Sequence, residues 1–173
     1  VRGSLLRVVT ALVLLGVLAG EAAALGSIDD PRDLRTGLLL SLFFAPFGVL
    51  ARWKLSSLNT RFPAFPVGTF AANMIACVVD AVADVINIFA GNDDGKVADA
   101  WTFAVMTGVV GGFSGSLSTV STFVAEILDK IAPIRVPGQE LAWRRSGAFY
   151  ALVTVIVGGL IPVCLSLWAR WTH

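Results

Sequence analysis

The strongest chemical signal in the chain is the segment from Gly108 to Phe123, GVVGGFSGSLSTVSTF. It sets four glycines and six hydroxyl side chains in the middle of an apolar stretch. Glycine weakens a helix, and clustered hydroxyls can satisfy the amides and carbonyls that a break sets free. Freed carbonyls suit a cation, whereas freed amides and hydroxyls suit an anion. Close packing of small residues between membrane helices is the competing reading, and the segment alone leaves both open.

A second polar series begins at Gly68-Thr69 and runs through Asn73. An amide within an apolar helix either makes an interhelical hydrogen bond or faces a permeating ion. Cys77, Asp80, Asp84 and Asn87 follow at steps of four, three, four and three, which puts them on one helical face with Asn73. Such a stripe predicts a water-facing wall. Asp80 and Asp84 would repel a desolvated anion. They fit a hydrated vestibule, a pairing with Arg or Lys, or a wall that does not conduct. Arg52 closes the stretch Gly48-Val-Leu-Ala-Arg52, where it either snorkels to headgroups or supplies positive field at a pore mouth. Tyr150, Thr154 and Gly158 share a face at i, i+4 and i+8, as a hydroxyl track or as packing.

The elements that carry these residues are membrane-length. The chain has 173 residues, 56% hydrophobic and 14% charged, with mean hydropathy +0.80. A soluble domain has about a quarter charged residues. Five apolar stretches approach the roughly 20 residues that a helix needs to cross a bilayer. They are Leu5–Leu25, Thr36–Trp53, Val67–Ala90, Trp101–Ile127 and Gly147–Trp171. The first also has the look of a signal segment, with Arg2, Arg7 and a run of alanines, but its length favours a spanning helix. The chain starts at Val1 rather than Met and reads as part of something longer. Nine of the 13 basic residues fall on one side of a five-span topology, against Arg32, Arg35, Lys96 and Arg170 on the other. The positive-inside rule then puts the N-terminus in the cytoplasm and His173 outside.

Several functions are disfavoured. Net charge is +1, so no basic field points to nucleic acid. Cys77, Cys164 and His173 have no ligand-like spacing. Gly91–Gly95 lacks the spacing of a phosphate-binding loop. No nucleophile–base constellation is apparent, so an enzyme is not expected.

Taken in order, these motifs resemble the Fluc (CrcB) fluoride channels. Gly112–Phe123 is similar to the glycine–threonine–phenylalanine signature of that family. Gly68-Thr69 with Asn73 resembles the second-helix motif, Gly48 to Arg52 the end of the first helix, and Tyr150, Thr154 and Gly158 the fourth-helix polar track. The resemblance covers roughly residues 38–167. The extra leading span resembles the connecting helix of the fused eukaryotic fluoride exporters (FEX), in which two repeats lie in one chain.

The resemblance implies an all-α membrane protein. Residues 1–30 would form a leading or connecting helix, and residues 31–173 a four-span repeat with a broken third helix. It implies passive fluoride export in an antiparallel pair with an inverted homologous repeat, in the plasma membrane. Asn73, Ser121, Thr122, Phe123, Tyr150 and Thr154 would line the fluoride path, with Arg52 near an entrance. The backbone carbonyls of Gly115 and Ser118 would hold a structural sodium ion. Val120 departs from the pattern, where the family has the first phenylalanine of a pair. Ser118-Thr119 stands for the usual Thr-Thr, Gly158 for a hydroxyl, Ala76 and Ala81 for glycines, and Asp80 is an addition. These changes fit one good pore and one poor one. An antiparallel transporter like those of small multidrug resistance is the alternative, but it wants a carboxylate deep in its first span, and Thr36–Leu50 has none. A non-conducting structural membrane subunit is the third reading.

Overall fold

The computed structural model describes residues 33–62, 65–90, 99–131 and 140–172, with scattered positions between 12 and 31. The expected leading span Leu5–Leu25 lies largely outside the described residues. So do most of the loop after Ala90 and the basic connection that contains Arg135.

Every described element is helical: α1 (Leu34–Ser56), α2 (Val67–Ala90), α3 (Ala100–Gly108), α4 (Val120–Ile131) and α5 (Glu140–Thr172). Between α3 and α4 run a π-helical stretch, Val109–Ser114, and a single turn, Gly115–Leu117. Among the described residues, four helices are long and apolar enough to cross a bilayer: Leu34–Ser56, Val67–Ala90, Ala100–Lys130 and Ser146–Thr172. The sequence boundaries agree for α2 and fall short by a few residues elsewhere. Polar end turns such as Leu34-Arg35 and Lys54 remain helical after hydropathy has dropped. Asp33 caps α1 by accepting from the Arg35 amide, and Asp99 caps α3 by accepting from the Thr102 amide.

Small residues set the packing. Ala72, Ala76 and Leu117 form a buried cluster, with Ala51, Leu55 and Phe113 against it. A Cβ on Gly48 would run into Ser116 and the Phe113 carbonyl, and one on Gly112 into the Ser41 carbonyl. α1 therefore lies against the π-helical stretch backbone to backbone, which lipid-embedded helices achieve with small side chains. Large apolar side chains point outward all round, Phe47, Val120, Leu152 and Trp168 among them. That is the surface of an integral membrane protein.

Candidate functional site at the helix break

The third span breaks at Ser118, whose ψ of 158° turns the chain out of the helix. The π-helical turn before it is glycine-rich, and π-turns concentrate at functional sites. The break rearranges two hydrogen bonds. A continuous helix would send the Thr119 amide to the Gly115 carbonyl, but it donates to Asn73 Oδ1 at 2.8 Å. The Thr122 amide, due at Ser118, donates to Thr119 Oγ1 at 3.3 Å. Gly115 and Ser118 are thus among the carbonyls at the break that lose their helical donors, and Arg52 Nη1 approaches the Ser118 oxygen at 3.5 Å.

Asn73 also donates through Nδ2 to the Thr119 carbonyl at 3.3 Å. The interhelical reading of this amide is therefore realised. An amide nitrogen carries two hydrogens, and the second has no protein acceptor among the described residues. Arg52 turns inward rather than toward headgroups. It donates from Nη2 to Thr122 Oγ1 at 2.8 Å and from Nη1 toward the Ser118 carbonyl at 3.5 Å. Ser114 and Ser116 pin the segment by donating to the Ala76 and Ala45 carbonyls. A cavity of about 390 Å³ opens beside the break, with Arg52, Asn59, Thr69, Thr119 and Thr122 on its wall.

One turn further along, Phe123 meets Tyr150 edge-on, with ring centroids 5.3 Å apart. Tyr150 is fully buried and donates from its hydroxyl to Glu126 Oε2 at 2.8 Å. Thr154 is buried one turn along α5, and its Oγ1 has no hydrogen-bond partner among the described residues. It does not bond back to its own helix. Gly158 packs against Met74 and Cys77. Ser121 is exposed, with its hydroxyl 3.4 Å from Thr119 Oγ1, and Val120 is 75% exposed.

Asp80, Asp84 and Asn87 lie elsewhere. They line a separate cavity of about 450 Å³ with Thr107. Asp84 accepts from the Ser166 hydroxyl at 2.7 Å, while Asp80 Oδ1 and Asn87 Oδ1 are buried without partners among the described residues. Neither aspartate pairs with Arg or Lys among the described residues.

The sequence reading missed Glu126. Its carboxylate gathers hydrogen bonds from Tyr150, Asn59 and Thr69. The signal was available, because Glu126 is the only charged residue in the stretch Trp101–Ile127, and ionisable groups within membrane spans are functional by default. Asn59 was missed because it sits in a turn and its partners are distant in sequence.

The fold and the site define an all-α integral membrane protein whose polar centre is built on a broken helix. The chain belongs to the family described as CrcB-like protein, Camphor Resistance (CrcB), which matches residues 39–167. Fluoride export protein 1 of Neurospora crassa is 36% identical over 172 residues, covering 94% of this chain and 30% of that protein. Fluoride export protein 1 of Candida albicans is 40% identical over 90 residues, covering 50% of this chain and 23% of that protein. Fluoride-specific ion channel FluC of Chromobacterium violaceum is 40% identical over 86 residues, covering 49% of this chain and 62% of that protein. The chain thus spans under a third of the fungal relatives' length in these matches.

Proposed function

We propose that this chain is one half of a passive fluoride channel that exports the ion from the cytoplasm. The observation that carries this reading is the set of donors around the break. The Arg52 guanidinium on Thr122 and the Asn73 amide on Thr119 flank the turning point, Phe123 follows it, and the Thr154 hydroxyl has no partner among the described residues; each suits a small anion. The names of the fungal and bacterial relatives support fluoride as that anion. Hydrogen fluoride crosses membranes neutral and dissociates inside. A pore suffices to release the trapped anion, because a negative-inside potential drives anions outward.

The other half is an inverted homologous repeat. A four-span repeat that starts inside ends inside, and one connecting span would deliver the next repeat upside down. The charge bias supports that order, with the N-terminus cytoplasmic, the C-terminus outside and the plasma membrane as the location. The Gly115 and Ser118 carbonyls would hold a sodium ion, since hard cations favour oxygen ligands and both have lost a helical donor; Arg52 Nη1, 3.5 Å from the Ser118 oxygen, would give way to it. The multidrug-transporter alternative lacks its key group, because α1 carries no carboxylate.

The test is rescue of fluoride-sensitive cells by the full-length protein, together with fluoride efflux from liposomes. Loss of both with Asn73→Asp or Phe123→Ile supports the channel. Unchanged efflux in both variants, accompanied by proton-coupled cation export, would overturn it.

A further inference from the structure

The turn between α1 and α2 holds Asn59 in a fixed place. Its amide donates to the Ser56 carbonyl at 3.1 Å, and the Arg61 amide closes back on Leu58 at 3.1 Å. From there its side chain does two separate things. Oδ1 accepts the Thr69 amide at 3.1 Å, capping the first turn of α2. Nδ2 donates to Thr69 Oγ1 at 2.9 Å and to Glu126 Oε1 at 3.0 Å. The Thr69 hydroxyl adds a 2.6 Å bond to the same carboxylate oxygen. Gly68 leaves space at this corner, since a Cβ there would run into the Leu55 carbonyl and lie 2.7 Å from Asn59 Oδ1.

We propose that Asn59 is a positioning residue for conduction: it holds Glu126 where that carboxylate commits the Tyr150 hydroxyl. The inference rests on the channel reading above. Tyr150 has one hydroxyl hydrogen, and it points at Glu126 Oε2. An anion passing Phe123 and Tyr150 therefore meets a tyrosine whose donor is already engaged, and the placing of Glu126 governs whether that donor becomes available. Arg52, the cation on the same cavity, bonds Ser118 and Thr122 rather than Glu126. Glu126 is thus held by neutral donors, with Asn59 and Thr69 gripping one oxygen and Tyr150 the other.

The arrangement can be exchanged end for end. Asn59→Asp keeps an oxygen for the Thr69 amide but sets a second carboxylate against Glu126. Adding Glu126→Gln restores a donor–acceptor pair in the opposite sense. Fluoride efflux from liposomes is measured for the full-length protein, N59D, E126Q and the double variant, with thermal unfolding in parallel. Losing one hydrogen bond to a charged group predicts a fall of roughly tenfold or more in N59D. The double variant should conduct faster than either single one. A residue that serves only as the α2 cap would leave N59D at the unaltered rate. That result, or a folded double variant no faster than N59D, overturns the proposal. If N59D does not assemble, an assembled and conducting double variant supports the pairing. Failure of both to assemble makes Asn59 purely structural and overturns it. An unaltered protein that passes no fluoride defeats the channel reading as well, a result distinct from a conducting protein indifferent to residue 59.

Discussion

The side chain of Asn73 and the backbone of Thr119 exchange two hydrogen bonds across 46 residues of chain. Through them α2 supplies the groups that the broken third span has lost at its turning point. At membrane depth an unmade backbone bond has no water to fall back on, so this pairing is a condition for the break to exist.

Asn73→Ala therefore leaves the Thr119 amide without an acceptor. The variant should lose about 2 kcal/mol of stability, the desolvation penalty of a buried unpaired group. Thermal unfolding in detergent measures it. Asn73→Asp keeps the acceptor and should recover a large part of that loss.

Gly48 tests the close contact of α1 with the break. Gly48→Ala forces a methyl group into Ser116 and the Phe113 carbonyl. Overpacking of this kind should lower stability by about 1–3 kcal/mol. Gly159→Ala is the matched control, with nothing within 4 Å of its added methyl group, and should stay within about 0.5 kcal/mol of the unaltered protein.

Thr154→Val separates packing from conduction. The hydroxyl is buried with no partner, so its removal should raise stability by about 1 kcal/mol. If Thr154 offers its hydrogen to the passing ion, fluoride efflux should fall by about tenfold in the same variant. The opposite signs of the two readouts are the check.

Val120 points into open space at the position where the family resemblance implies an aromatic ring. Val120→Phe should fold with stability changed by less than about 0.5 kcal/mol, since the larger side chain meets no wall within this chain. Fluoride efflux should rise severalfold if a second ring edge completes the path on that side. Liposome flux and thermal unfolding measured together decide it.

Much of this protein was legible in its residues. Hydropathy located the four described spans because a bilayer demands long apolar helices, and the agreement at Val67–Ala90 is complete. The glycines and hydroxyls of Gly108–Phe123 admitted a break beside close packing, since clustered hydroxyls can satisfy irregular backbone away from water. The motif order pointed to the family. Sequence spacing could not say which way Arg52 turns, whether Asn73 bonds a helix or waits for an ion, or where Asp80 and Asp84 face. Those outcomes depend on groups brought together from distant parts of the chain: Arg52 with Thr122, Asn73 with Thr119, Asn59 with Glu126. Periodicity places a side chain on one face of its own helix and carries no information about the neighbour that face meets. Tertiary packing alone decided that Tyr150 gives its hydrogen to Glu126 and that Thr154 gives its own to no group described here.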